Sequence, residues 1–176
     1  MSEVKVNKIS PRSGTDVTLG DSGDTFTLPS GATLTVSGTS TIASLGASTA
    51  SGTLSMADNI VSRPEIKDYS ESVNAIGATG GGTQDIDLTA GNVVSATVDT
   101  STNTFTFSNP SATGKSCSFT LVLTNGGSQT VNWPGTVDWA AATAPTLTAS
   151  GVDVLTFTTV DGGTIWYGFA AGLTMS

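Results

Sequence analysis

The stretch from Ser116 to Pro134 constrains the fold more than any other part of the sequence. In an extended chain every second side chain lies on the same face, and apolar residues follow that spacing on both sides of an Asn-Gly-Gly-Ser turn signal. They are Cys117, Phe119, Leu121 and Leu123 before the turn, and Val131 and Trp133 after it. The pattern predicts a β-hairpin with one buried face, which is typical of an antiparallel β domain.

Short strand candidates continue on both sides of this stretch, and turn residues such as Asn109-Pro110 and Asp161-Gly162-Gly163 separate them. Nine of the eleven aromatic residues follow position 100, so the main core is expected there. We therefore predict an all-β chain with an antiparallel β-sandwich over residues 83–176. The predicted strands are Gln84–Leu88, Val93–Asp99, Thr104–Ser108, Ser116–Thr124, Gln129–Trp133, Val137–Ala140, Val152–Val160 and Thr164–Phe169.

Glycine punctuates residues 14–55 at a short period, with Gly23, Gly31, Gly38 and Gly46 spaced by eight, seven and eight. The spacing predicts a glycine-repeat β ribbon. Ordering a backbone costs roughly 1–2 kcal/mol per residue, and one copy of this ribbon offers few apolar side chains to offset that cost. We therefore hypothesise an intertwined homotrimer. The predicted oligomerisation residues are Leu19, Phe26, Leu28, Leu34 and Val36.

Two further segments are distinguished by composition. Residues 1–13 place Val4 and Val6 on one side of a short strand and add Ile9 before a proline, and they are interpreted as an attachment arm or a frayed terminus. Residues 56–82 are interpreted as a linker. Its charged stretch fits either a short helix after Pro64 or an extended connector.

Composition excludes several partners. The chain has six Lys+Arg against 14 Asp+Glu, a formal charge of −8. Nucleic acid and anionic membrane surfaces are not expected to bind, because both require clustered cations. The first residues lack the apolar core of a signal peptide, and no window reaches the ~18 apolar residues of a membrane span. The sequence therefore predicts a chain made as a soluble cytoplasmic protein, without a secretion signal or membrane insertion.

Catalytic and metal-binding signals are weak. The sequence has no histidine, and Cys117 stands alone, so it is interpreted as a buried hydrophobe rather than a reactive thiol. Asp85 and Asp87 lie on one strand face, and three interpretations are kept: a charged solvent-facing edge, a calcium site or a catalytic pair. We predict no enzyme activity, no cofactor and no metal.

The three tryptophans, Trp133, Trp139 and Trp166, are candidate surface contacts. Core packing, a subunit interface and glycan contact all remain open for them. Along 164–169, Tyr167 and Phe169 share one face with Ile165, and Trp166 takes the other face. If the first set is core, Trp166 lies outside the core or in an interface.

Three stretches carry a resemblance to a known group of proteins. VKVNKISPRSGTDVTLGDSGDTFTLPSGATLTVSGT (4–39) resembles the N-terminal segments of tail-fibre and related virion structural proteins of tailed bacteriophages, particularly marine phages. SRPEIKDYSESV (62–73) and the stretch from Phe107 to Phe169 look like the connector and terminal β domain of such proteins. The resemblance implies a trimeric, β-rich virion component, and no catalytic residues carry over. The present chain departs from typical fibres, which are much longer.

The resemblance implies a non-enzymatic virion protein, a homotrimeric short fibre or spike anchored by its N-terminus. Its expected partners are other copies of itself, other tail or capsid proteins, and a host-surface glycan. The alternative is a capsid decoration protein. A carbohydrate-binding module and a glycan-degrading enzyme using Asp138 or Asp153 are further alternatives.

Overall fold

The structure is a computed structural model, and it describes residues 9, 13–14, 17, 21, 23–33, 35 and 60–175. The chain divides into two compact units, Met1–Val61 and Ser62–Ser176. All of the strands described below belong to the second unit.

The second unit is built from nine strands in two sheets, which confirms the all-β class. Sheet A has six strands in the order β1-β3-β5-β8-β9-β7, and sheet B has three in the order β2-β4-β6. The strands are β1 (Val73–Ala78), β2 (Gly82–Asp87), β3 (Val93–Thr97), β4 (Asn103–Ser108), β5 (Cys117–Thr124), β6 (Val131–Asn132), β7 (Val137–Trp139), β8 (Val152–Thr159) and β9 (Trp166–Met175). All eight predicted strands overlap an observed one, and β1 was not predicted.

The first six strands alternate between the sheets and pair in parallel. β1, β3 and β5 are neighbours in sheet A, whereas β2, β4 and β6 are neighbours in sheet B. The chain therefore makes three circuits of a two-sheet coil, each circuit contributing one strand to each sheet. Val73 pairs with Val93, and Val93 pairs with Thr120. The expectation of an antiparallel domain is wrong for this part of the unit.

Antiparallel pairing is confined to the strands that follow the coil. β8 pairs antiparallel with both β5 and β9, and β7 returns to parallel pairing beside β9. β8 thus pairs with the edge of β5 to which a fourth circuit of the coil would otherwise add a parallel strand.

The predicted hairpin at 116–134 does not form, since β5 belongs to sheet A and β6 to sheet B. Its turn bonds to a different segment: the Asn125 N–H donates to the Gly151 carbonyl (2.8 Å) and the Gly127 N–H to the Thr148 carbonyl (2.9 Å). A Cβ on Gly127 would lie 2.1 Å from the Leu147 carbonyl oxygen, so only glycine admits this approach. Contacts distant in sequence therefore direct the chain to the other sheet.

The core lies between the two sheets. The inward positions of β3, β5 and β8 meet those of β2 and β4, and every second residue of β5 is buried. The buried apolar side chains are Ile86, Leu88, Val94, Ala96, Val98, Phe105, Cys117, Phe119, Leu121, Leu123, Leu155, Phe157 and Trp166. The predicted burial of Cys117 agrees with this core.

Two predicted segments differ from the structure. The linker proposed for 56–82 contains β1 and the first residue of β2, so the folded unit begins before residue 83. Residues 60–72 form neither a helix nor a strand, and the backbone has positive φ at Arg63 and Asp68. In the first unit, residues 23–33 contain turns at Gly23 and Gly31 but no strand.

Candidate interaction surface

The side of sheet A that faces away from the core forms a broad surface, called here the outer face of sheet A. Alternation along β3, β5 and β8 identifies its members there, because each is the neighbour of a buried residue, and strand pairing adds those of β1 and β9. The register aligns them in rows across the strands: Val93, Thr120, Thr156 and Phe169 in one, and Ser118, Thr158 and Tyr167 in the next. The remaining members are Val73, Ala75, Ser95, Thr97, Val122, Thr124, Val152, Val154 and Met175.

Two aromatic side chains project from this face. Tyr167 is 42% exposed and Phe169 is 54% exposed, and they stand two residues apart on β9. Both border a shallow depression that also includes Asp138 and Trp139. Further along β9, Met175 lies close to Gly172, so apolar surface continues toward the end of the strand. The aromatic pair and its valine neighbours make this face hydrophobic.

The outer face of sheet A carries no charge on β3, β5, β8 or β9, because its members there are Val, Thr, Ser, Tyr, Phe, Gly and Met. Two carboxylates lie beside these strands. Glu71 borders a depression with Thr120 and Thr156, and Asp138 lies on the edge strand β7. The other charged residues of the described unit lie on loops, on sheet B and, in the case of Asp153, on the inner side of sheet A.

The outer side of sheet B differs sharply in chemistry. Asp85 accepts hydrogen bonds from Thr106 Oγ1 (2.8 Å) and Ser108 Oγ (2.6 Å) across the β2–β4 pair. Asp87 accepts from Asn109 Nδ2 (2.9 Å) and from the Thr89 hydroxyl and N–H. The Asn109 bond, followed by those of Thr89, lowers the pKa of Asp87. Both carboxylates are already held by side chains of the chain, which favours the charged-edge interpretation over a catalytic pair.

Asp153, unlike Asp85 and Asp87, is a buried carboxylate. Asp153 is fully inaccessible, and it accepts hydrogen bonds from the Thr148 N–H and hydroxyl (2.6 Å each) and from the Thr174 N–H (3.1 Å). Burial alone would raise the pKa of Asp153, but these hydrogen bonds stabilise the charged form and the net shift is downward. Asp153 thereby fastens the 147–151 segment to the end of β9. This position is structural, since no solvent reaches the carboxylate for catalysis.

The tryptophans occupy the core side rather than the surface. Trp166 is 2% exposed, so its prediction as a surface contact is wrong, and its neighbours Tyr167 and Phe169 face outward instead. Trp133 stacks on Phe105 with ring centroids 5.4 Å apart, and Trp139 meets Trp133 edge to face at 5.6 Å. Both rings are half-buried against the core. Of the three alternatives left open for the tryptophans, core packing agrees with these positions.

The candidate residues of the first unit are only partly covered by the structure. Ile9 is 64% exposed and Phe26 is 67% exposed, and Leu28 is also exposed. Val4, Val6, Leu19, Leu34 and Val36 lie outside the described residues.

Within residues 60–175 and the shorter described stretches, His, Cys, Asp and Glu side chains do not gather into a group of three that could hold a metal ion. Across the same residues, the structure contains no helix long and apolar enough to cross a bilayer.

The sequence contained a signal for the outer face of sheet A that hydrophobic alternation alone did not reveal. The outward positions of β5 and β8 are Ser, Thr or Val throughout, where a solvent-facing strand would carry charges. Their assembly into one surface depended on the pairing of β3, β5, β8 and β9, which only the structure supplies.

Comparison with known proteins yielded no match to a family model, to a curated protein or to a solved structure.

Proposed function

We propose that this chain is a non-enzymatic structural protein of a bacteriophage virion, a homotrimeric short fibre or spike that is anchored through its N-terminal region. The β-rich unit 62–176 would then project outward and contact the host surface. The proposal draws on the resemblance at 4–39 and on one structural observation, the exposure of apolar side chains in the first unit.

That observation concerns Ile9, Val17, Phe26 and Leu28, which are all exposed in the isolated chain. Covering these side chains on association would stabilise the associated form, because burial is worth about 25 cal/mol per Å² of apolar surface removed from water. A trimer or a virion wall would supply that cover. The charged, hydrogen-bonded outer side of sheet B would remain in solvent.

The oligomeric part of the proposal is tested by sedimentation equilibrium of the full chain. A trimer has three times the 17.6 kDa mass of the chain. The double variant Phe26→Asp/Leu28→Asp is expected to shift the trimer toward smaller species, and Thr25→Asp/Thr27→Asp is the control at adjacent positions. A monomeric full chain would overturn the proposal.

The virion part is tested by labelling intact phage particles with antibodies raised against the chain. Labelling at the tail supports a fibre or spike, and antibodies against residues 62–176 should then block adsorption to host cells. Labelling over the whole capsid would replace the fibre by a decoration protein. Particles without label would refute both.

A further inference from the structure

We propose that the outer face of sheet A is an interface between copies of this chain. The inference concerns the second unit alone and does not depend on the virion assignment. It also differs from the oligomerisation expected through residues 14–55, because it places a contact in the folded β unit.

Charge distribution is the first reason. The chain carries a formal charge of −8, so two copies that approach each other repel unless the contact avoids carboxylates. The outer side of sheet B presents Asp85 and Asp87, and loops carry Asp99 and Asp161. The outer face of sheet A is uncharged on β3, β5, β8 and β9; Asp138 lies on its edge strand β7, and Glu71, from the segment before β1, borders a depression with Thr120 and Thr156. Identical acidic chains can meet there with least repulsion.

Composition is the second reason. A solvent-facing sheet surface usually alternates buried apolar residues with charged or strongly polar ones. Here the outward residues are mainly valines and threonines. Three large apolar side chains join them, Tyr167, Phe169 and Met175, and each of these three is at least 42% exposed. Depletion of charge with enrichment of aromatic residues and Met is the pattern found at the centres of protein interfaces.

Size is the third reason. Strands lie about 4.8 Å apart and rise about 3.3 Å per residue, so the six strands of sheet A present on the order of 500 Å² in projection. This is of the same order as the roughly 800 Å² that each partner contributes to a standard interface. The surface is therefore of a size that a specific contact between two chains can use.

A second copy explains these features better than a soluble ligand does. The face carries hydroxyl and valine side chains in regular rows, and its depressions beside Thr156 and Tyr167 are open to solvent. A sheet surface of this kind can pack face to face on the same surface of another copy.

The test compares two single-cysteine reporters in the full chain. Thr156→Cys lies at the centre of the outer face of sheet A, and Thr104→Cys lies on the outer side of sheet B. Both parent threonines are half-buried, and the native Cys117 is buried and gives a low background. The thiols are labelled with a maleimide across a dilution series, while sedimentation reports the mass.

If sister copies cover the face, Thr156→Cys should react at least about tenfold more slowly than Thr104→Cys where the chain is associated. The difference should vanish on dilution to monomer. Thr156→Lys should weaken association, and Thr104→Lys should not, with circular dichroism showing that both variants are folded. When Phe26→Asp/Leu28→Asp is combined with Thr156→Cys, the new thiol should still be protected from maleimide at high protein concentration.

Three results would overturn the inference. One is a monomeric chain at all concentrations. Another is an associated chain in which both cysteines react at equal rates, which would assign association to the first unit alone. The last is protection of Thr156→Cys that appears only after host polysaccharide is added, which would assign the face to a glycan.

Discussion

At the scale of single residues, Gly168 shows how one missing side chain fixes a local packing arrangement. Gly168 pairs with Trp139 across β7 and β9, and the Trp139 ring lies over the Gly168 backbone. A Cβ at this position would stand 2.7 Å from the ring. The half-buried indole therefore requires glycine beneath it, although the backbone of Gly168 is ordinary.

We expect Gly168→Ala to lower the free energy of unfolding by about 1–3 kcal/mol, because the ring or the strand must shift. Urea denaturation followed by tryptophan fluorescence measures the change. Gly135→Ala is the control, since a Cβ there meets no atom within 4 Å. Equal effects of the two variants would contradict the packing role.

Asp153 is the residue through which pH should act on stability. Its pKa is lowered in the folded chain relative to its ordinary value of 3.8, so the carboxylate stabilises the fold above about pH 4. That contribution is lost as the pH falls through the lowered pKa, because the unfolded chain then binds the proton more readily.

The variant Asp153→Asn should therefore lose about 1–3 kcal/mol at neutral pH, since the amide cannot accept all three bonds that the carboxylate accepts. Its stability should also fall less steeply below pH 4 than that of the unsubstituted chain. Thermal unfolding between pH 2 and pH 7 measures both effects. Asp138→Asn, on an exposed edge position, should leave the profile unchanged. A profile for Asp153→Asn parallel to that of the unsubstituted chain would exclude the role of the buried carboxylate.

At the scale of elements, β9 shows that alternation identifies two faces without saying which is buried. Both faces of the strand begin with large aromatic residues, Trp166 on one and Tyr167 and Phe169 on the other. The structure buries Trp166 against Phe107 and Phe119 and leaves the other two outside. The choice depends on which side of sheet A faces sheet B, and that information is absent from the strand itself.

Replacing adjacent residues of β9 should therefore lower the free energy of unfolding by very different amounts. Trp166→Ala is expected to cost about 3–5 kcal/mol, as for a large aromatic removed from a core. Tyr167→Ala should cost less than about 1 kcal/mol in dilute solution, where chains are separate. Guanidinium unfolding curves of both variants decide the matter. A larger loss for Tyr167→Ala would reverse the assigned orientation of β9.

At the scale of the whole molecule, the folded unit begins earlier than composition indicated. β1 covers one edge of β3, and Val93 and Ser95 pair with it. The glycine-rich stretch at 80–82 resembles a domain boundary in sequence, but it is the turn between the first two strands of the coil. Gly80 donates its N–H to Asp99 there (2.9 Å).

A chain of residues 62–176 should consequently unfold in one cooperative transition, with a midpoint close to that of the full chain. A chain of residues 83–176 lacks β1 and should unfold at lower temperature and less cooperatively, because the edge of β3 becomes unpaired. Differential scanning calorimetry of both chains checks this. Equal midpoints would return the boundary to residue 83.

The sequence by itself determined the all-β class, the positions of eight strands and the location of the core, because alternation and turn residues act within a few positions of each other. The same local signals favoured a hairpin at Asn125 and left open whether Trp166 is buried. The hairpin prediction failed and the burial of Trp166 stayed undecided for one reason: strand partners and buried faces are chosen by contacts distant in sequence.

Tertiary structure alone decided that successive strands alternate between two sheets and pair in parallel. It also decided that outward residues of β3, β5, β8 and β9 join into one uncharged surface. Each of those residues is unremarkable within its own strand. Their shared chemistry becomes a property of the molecule only when hydrogen bonding between strands sets them side by side.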